Sequence, residues 1–378
     1  ALMIFLKNLE GAKQSSLRLQ ADLDQVGKEL TEDQAITQKM LDILTEGGVL
    51  PADHASLSSQ IGWFGELLEA DEAGRATLES LAEIKVLIIG LIGLVLFIVG
   101  VLGFFGLLYI IIRVFDGSIK SSMAPPMPHH GIYAEMFALW LLLFVFLMSI
   151  AGILGKIVSE DNLIVAMSFS LLAFFLSLIV LGWARLRGIS FQQLKLDIGW
   201  HTGAGIIKEV AYGIVGYAMT LPLLALGVVF MLLLILIQQI FVGGVTDDPF
   251  IGTGGGAHPI IVAIESGGWQ VRVLIITLAA VAAPIIEETI FRGVLYRQLR
   301  TSSKLFNQIV SVLGSVVIVS FLFAAIHPQG WVAIPPLMGI AIGMNLMREW
   351  RGTIIPSMVI HGLSNGIVTS MLLISLTN

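Results

Sequence analysis

Eight apolar stretches of about 20 residues each constrain this chain more than any other feature of its sequence. A run of that length lets an α-helix cross the hydrocarbon core of a bilayer. Backbone polar groups in lipid must bond within their own segment, so such runs fold as helices. The stretches lie near residues 86–112, 136–155, 163–183, 211–242, 273–296, 308–327, 331–347 and 354–376. The sequence therefore predicts an all-α, polytopic transmembrane helical bundle of about eight spans, an integral membrane protein with the lipid bilayer as a partner.

The composition agrees with this class. Of the 378 residues, 56% are hydrophobic and 13% are charged, whereas a soluble domain carries about 25% charged residues. The chain has no cysteine, which excludes disulfides, thiolate catalysis and cysteine-ligated metal. Because the chain begins with Ala1 rather than Met, we expect a missing or processed N-terminus.

Residues 1–84 differ from the rest because they carry a net charge of −9 and helical spacing of apolar residues. We expect a soluble, extramembrane helical segment here. Its acidity disfavours nucleic acid as a partner. The predicted organisation is completed by N-terminal spans and loops over 85–210 and a second transmembrane region over 211–378.

Lysine and arginine are distributed unevenly among the loops. The loops after the first, third, fifth and seventh spans hold eleven of these residues, whereas the opposite side holds three next to its span ends, Lys85, Lys156 and Arg272. The positive-inside rule predicts that those four loops are cytoplasmic and that both termini are extracytoplasmic.

The seventh span combines two features that affect its shape. Pro335 and Pro336 predict a broken or partly re-entrant helix. Gly339 and Gly343 form a small-xxx-small pattern, which predicts close packing against another helix.

Three ionisable residues stand in the fifth span, Glu287, Glu288 and Arg292. Each costs about 2.5–3.5 kcal/mol at the centre of a membrane helix, so each needs a partner or a polar cavity. Glu288 and Arg292 are four residues apart on one helix face and can pair. The side chain of Glu287 is rotated by about 100° around the helix from that of Glu288, so it needs partners from other helices.

Candidate partners for Glu287 lie in the last spans, where His327, His361 and Asn365 add polar groups. A desolvated carboxylate can act as a base on water, with a neighbouring histidine sharing the proton. His361 and Asn365, four residues apart, can donate hydrogen bonds to an oxyanion. Two histidines and a glutamate can also hold zinc, so both metal-free chemistry and a divalent metal stay open. The plainer alternative is a buried structural polar network.

Three short patterns in the last spans resemble the motifs of the CPBP intramembrane protease family, which includes the CAAX prenyl protease 2 and abortive-infection types. "EETIFR" (287–292) fits Glu-Glu-x-x-x-Arg, "FAAIH" (323–327) fits Phe-x-x-x-His, and "HGLSN" (361–365) fits His-x-x-x-Asn. Each motif is weak alone, but three in this order on successive spans are specific. The resemblance covers about residues 275–370.

The resemblance implies an intramembrane endopeptidase that acts on a membrane-associated or prenylated protein or peptide. In it, Glu287 and His327 would activate water, and His361 and Asn365 would stabilise the oxyanion. The other two ionisable residues of the first motif would support the site.

Other functions remain to be weighed against a peptidase. A catalytically inactive scaffold or immunity protein would keep the same fold. A transporter is a third possibility, although its class often shows matching broken helices in two halves, which this chain lacks. "GLSNG" (362–366) matches a nucleophile elbow, but that motif needs a strand–turn–helix context, so we do not expect Ser364 to be a nucleophile.

Overall fold

The computed structural model describes residues 72–123, 131–158, 162–242, 263–264, 267–303 and 307–376. Within these ranges the chain forms helices and no β-strand. Eight of the helices are long and apolar enough to cross a membrane. The predicted all-α, multi-pass fold is therefore confirmed. Most of the acidic segment 1–84 lies outside the described residues, and the predicted three-part division of the chain stays a prediction.

The helices are numbered here in chain order. They are α1 (Glu72–Phe115), α2 (Ile132–Val158), α3 (Leu163–Leu186), α4 (Phe191–Ile198), α5 (Ile206–Val242), α6 (Trp269–Ser302), α7 (Gln308–Ala325), α8 (Ile334–Arg351) and α9 (Ile355–Leu376). All except α4 are candidate membrane spans. Helix α1 already includes Glu72, the first described residue, well before the predicted first span, and α6 continues past the predicted end of the fifth span to Ser302.

Helices α5 and α8 pack closely because glycine lies at their contact. A Cβ added to Gly339 of α8 would collide with the backbone of Leu223, and one added to Gly343 would collide with the side chain of Thr220. The close packing predicted from the small-xxx-small pattern is confirmed. The predicted break at the two prolines is wrong: they lie in the first turn of α8, where a missing N–H costs no helical hydrogen bond, and α8 continues unbroken to Arg351.

Helix α6 contains two π-helical segments, Leu278–Ala282 and Thr289–Leu295, on either side of the α-helical stretch Ala283–Glu288. Pro284 has no N–H to donate, so the helical carbonyl four residues earlier loses its usual donor. That loss is one physical reason for irregular geometry at this point, and π turns are frequent at functional sites. The α-helical stretch carries both glutamates of the first motif.

A buried charged cluster fixes the short helix α4 to the ends of α6 and α8. Arg297 forms an ion pair of 2.7 Å with Asp197, and both side chains are almost fully buried. Arg348 donates to the carbonyl oxygens of Arg292 at 3.1 Å, Asp197 at 2.7 Å, and Gly352. The guanidinium of Arg348 therefore connects the backbone of α6, at Arg292, with the end of α4.

Candidate active site

Three helices bring the motif residues together. Helix α6 carries Glu287, Glu288 and Arg292, the turn after α7 carries His327, and α9 carries His361. The Nε2 atoms of both histidines lie close to the same oxygen of Glu287, Oε2, at 3.8 Å from His327 and 3.9 Å from His361. Side chains from three separate parts of the sequence therefore meet at one point.

Glu288 joins Arg292 to His361. The Nη1 atom of Arg292 donates to Glu288 Oε1 at 2.9 Å, as the four-residue spacing predicts. The Nδ1 atom of His361 lies 2.8 Å from the same oxygen. Glu288 and Arg292 have no exposed side-chain surface, so this pair is shielded from bulk solvent. Because a carboxylate only accepts hydrogen bonds, the Nδ1 atom of His361 carries a proton and its Nε2 atom faces Glu287.

His327 is oriented in the same way by a different acceptor. Its Nδ1 atom lies 2.5 Å from the carbonyl oxygen of Phe323, which leaves Nε2 to face Glu287. The ring of Phe323 packs against His327, with centroids 4.3 Å apart, and against His361 at 5.6 Å. The guanidinium of Arg292 lies 4.4 Å from the centre of the same ring. Phe323 therefore contacts both imidazoles and the cation that supports them.

The Oε2 atom of Glu287 is buried and has no hydrogen-bond partner among the described residues. Its separations from the two Nε2 atoms are too long for direct hydrogen bonds. A water molecule placed about 2.8 Å from each of two atoms bridges them when they stand about 3.8 Å apart. With both Nδ1 atoms bonded to acceptors of their own, the two Nε2 atoms and the carboxylate of Glu287 are left to bond a bridging molecule. The arrangement therefore suits a molecule that supplies O–H donors.

Asn365 lies one turn after His361 on α9, but its side-chain amide already has a partner. Its Nδ2 atom donates to the carbonyl oxygen of Ala279, in the first π segment of α6, at 2.9 Å. A Cβ added to Gly362 would stand 2.8 Å from the carbonyl oxygen of Ala280, so glycine permits this close approach. The amide of Asn365 thus fixes α9 to the irregular part of α6 and keeps a second N–H for another acceptor.

Ser364 lies in the middle of α9 and is buried. The strand–turn–helix that a nucleophile elbow requires is therefore not formed at this position. The Gly-x-Ser-x-Gly pattern instead serves helix packing, through the contact of Gly362 with α6.

Zinc fits this geometry less well than water does. Ligands at 2.0–2.1 Å in a tetrahedral site stand about 3.3 Å apart, which is closer than the 3.8 and 3.9 Å separations observed around Glu287. Over the ranges that the structure describes, no group of three or more His, Cys, Asp and Glu side chains is arranged to hold a metal ion. The chemistry derived below therefore uses side chains alone.

Two features near the site were not predicted from the sequence. The indole Nε1 of Trp200 donates to Thr289 Oγ1 at 2.9 Å, directly after the motif glutamates. Asn345, fully buried on α8, donates to Ser320 Oγ at 3.0 Å. Asn345 could have been found as a polar residue in an apolar span, but no local signal marks Trp200 as a contact of α6.

Comparison with known families covers the part of the chain that builds this site. Residues 269–367 match the family model described as type II CAAX prenyl endopeptidase Rce1-like. The matched range runs from the start of α6 into α9 and includes every motif residue. No curated protein and no solved structure matches the chain. The resemblance predicted from the three motifs is therefore confirmed: residues 269–367 of this multi-pass membrane protein match the model of the Rce1-like CAAX endopeptidase family.

Proposed function

We propose that this protein is an intramembrane endopeptidase that hydrolyses a peptide bond of a membrane-associated or lipidated protein. The observation that carries the proposal is the convergence of His327 and His361 on the buried, unpartnered Oε2 atom of Glu287. The distances from this oxygen to the two Nε2 atoms suit a water molecule held between one carboxylate and two oriented imidazoles. These are the parts that hydrolysis without a covalent nucleophile requires.

In the proposed reaction, Glu287 accepts a proton from water while His327 orients the water and shares the proton. The oxygen of the water bonds to the scissile carbonyl carbon, and the π electrons move to the carbonyl oxygen. When the tetrahedral intermediate collapses, the C–N bond breaks and the proton held by Glu287 and His327 passes to the leaving nitrogen. One carboxyl group and one amine form, so atoms and charge balance.

The developing oxyanion needs donors, and two are available on α9. The Nε2 atom of His361 faces the reaction space and donates when its ring is protonated. Glu288, 2.8 Å from Nδ1, stabilises the positive charge on that ring. The second N–H of Asn365 is the other donor. Arg292 holds Glu288 in place from the opposite side.

The substrate class is proposed from the family description, which names prenyl endopeptidases. A prenylated protein segment lies at the membrane surface and so reaches a bundle embedded in the same bilayer. We further propose that the loops rich in lysine and arginine are cytoplasmic, which places both termini on the opposite side.

The test uses the purified full chain in lipid nanodiscs with two peptides that differ only in a farnesyl group on a cysteine near the C-terminus. Mass spectrometry of the products should show cleavage of the farnesylated peptide at a single bond. Cleavage of both peptides at equal rates would keep the peptidase and overturn the lipid requirement. Binding without cleavage would favour a scaffold. Loss of activity on chelation, restored by zinc, would reassign the two histidines and Glu287 as metal ligands.

A further inference from the structure

Three polar atoms next to the site have no hydrogen-bond partner among the described residues, although each is fully buried. They are the Nε atom of Arg292, the Oε2 atom of Glu288 and the Oδ1 atom of Asn345. Each unsatisfied buried polar group costs about 1–3 kcal/mol, and more when it is charged. Three such atoms in one region point to a bound ligand rather than to three separate defects.

The contacts around Arg292 place Asn345 beside it. The Nη2 atom of Arg292 lies 3.5 Å from the carbonyl oxygen of Ala341, and Asn345 follows Ala341 by one helical turn on α8. On the other side, Arg292 lies 4.4 Å from the centre of the Phe323 ring. Ser320, one turn before Phe323 on α7, accepts a hydrogen bond from Asn345. On both α7 and α8, the contact of Arg292 therefore lies about one helical turn from the hydrogen bond between Asn345 and Ser320.

The hydrogen-bonding capacities of the three atoms identify the ligand. One is a donor and two are acceptors. A water molecule accepts from one donor and donates two O–H groups, so it satisfies all three. We propose that Arg292, Glu288 and Asn345 bind one buried water molecule at the junction of α6, α7 and α8.

This water would give Asn345 a positioning role in the reaction. Through the water, Asn345 fixes Arg292 and the second oxygen of Glu288, and Glu288 orients His361. Asn345 itself is not assigned to touch substrate. The water site stands on the three unpartnered atoms alone, whereas the positioning role rests on the proposed peptidase function.

Two substitutions of Asn345 distinguish a water site from simple packing. Asn345→Leu fills a similar volume but removes the acceptor and excludes the water. Asn345→Ala leaves room for a second water in place of the amide. A water site therefore predicts that the leucine variant melts lower than the alanine variant, by about 3 °C or more. If Asn345 only fills space, the order is reversed, because a cavity costs more than an isosteric replacement. Ser315→Ala, at a buried serine of α7 outside the cluster, is the matched control.

Activity and direct observation complete the test. If the chain is a peptidase, Asn345→Leu should lower kcat by about 10- to 100-fold with KM within about twofold. Cleavage by that variant at the wild-type rate would overturn the positioning role. If the wild-type protein cleaves neither peptide, the proposed peptidase function is contradicted. The order of the melting temperatures would still show whether the water site exists. A density map of the purified protein that resolves ordered waters should show a peak within hydrogen-bond distance of all three atoms, and direct pairing among them would overturn the site.

Discussion

At the scale of single residues, the adjacent carboxylates Glu287 and Glu288 have different environments. Glu288 is fully buried. Its Oε1 atom pairs with the guanidinium of Arg292 and accepts a hydrogen bond from the Nδ1 atom of His361. Glu287 retains 17% of its side-chain exposure, and its Oε2 atom faces two imidazoles without bonding to either. Helical rotation of about 100° between neighbours separates the two roles. We therefore expect their substitutions to fail in different ways.

Glu287→Gln tests the proposed base. Glutamine keeps the size and the hydrogen-bonding capacity of the side chain but cannot accept a proton from water at neutral pH. Cleavage of the farnesylated peptide should fall by about 10²–10⁴-fold, with little change in melting temperature. Glu135→Gln, at a partly exposed glutamate of α2 that bonds Trp183 and Arg187, is the control. Full activity in Glu287→Gln would refute the mechanism.

Glu288→Gln tests the buried ion pair. The substitution leaves the guanidinium of Arg292 without its counter-charge in a site that has no exposed side-chain surface. Breaking a buried pair by removing one partner costs about 3–5 kcal/mol. The variant should therefore melt well below both the wild type and Glu287→Gln in the same detergent. Equal melting of the two glutamine variants would show that Glu288 is not a stabilising partner of Arg292.

At the scale of helices, glycine determines where backbones meet. Gly339 and Gly343 bring α8 onto α5, and Gly362 brings α9 onto the first π segment of α6. The depth of the site also depends on where α6 ends, at Ser302, because α7 then begins at Gln308 on the same side of the membrane. Counted from these two helix ends at 1.5 Å per residue, Glu287 and His327 differ by only about 6 Å in depth. The two side chains can therefore meet.

Gly339→Ala and Gly314→Ala form a matched pair for this packing. A Cβ at Gly339 meets the backbone of Leu223, whereas one at Gly314 of α7 meets nothing within 4 Å. Overpacking at Gly339 should cost about 1–3 kcal/mol. The same substitution at Gly314 should be neutral or slightly stabilising, since alanine favours a helix interior over glycine by about 0.5–1 kcal/mol. Thermal melting in detergent checks both, and equal melting temperatures would contradict the proposed contact.

At the scale of the whole molecule, charge and chemistry are distributed unevenly. The loops after the odd-numbered spans hold most of the lysine and arginine, and the family match is confined to residues 269–367. The matched range contains the most buried spans, since 44% of the residues in the apolar windows of α6 and α8 are buried, against 6% in α1. The late helices therefore form the packed interior that an intramembrane site requires.

Ser118→Cys and Gln270→Cys test the orientation. The chain has no cysteine, so each variant carries one thiol, and both positions are exposed next to span ends. The positive-inside rule predicts a cytoplasmic Ser118 and an extracytoplasmic Gln270. A membrane-impermeant maleimide added to intact cells should label only the second variant, and permeabilised cells should be labelled in both. Labelling of Ser118→Cys alone in intact cells would reverse the topology.

The sequence alone was sufficient for the fold class, the number of spans and the positions of ionisable residues within them. Hydropathy and the cost of a charge in lipid are local properties, so residues such as Glu287 and His361 stand out without any structure. The pairing of Glu288 with Arg292 is also local, because four residues of one helix determine it.

Only the tertiary structure decided which atoms meet. The approach of His327 depends on the end of α6, which lies at Ser302 rather than at the predicted end of the fifth span near 296. The break expected at Pro335 and Pro336 did not form, because proline is tolerated in a first helical turn. Asn345 meets Ser320 only because α7 packs against α8. Such contacts join residues far apart in the chain, and their geometry depends on how whole helices pack rather than on any short pattern.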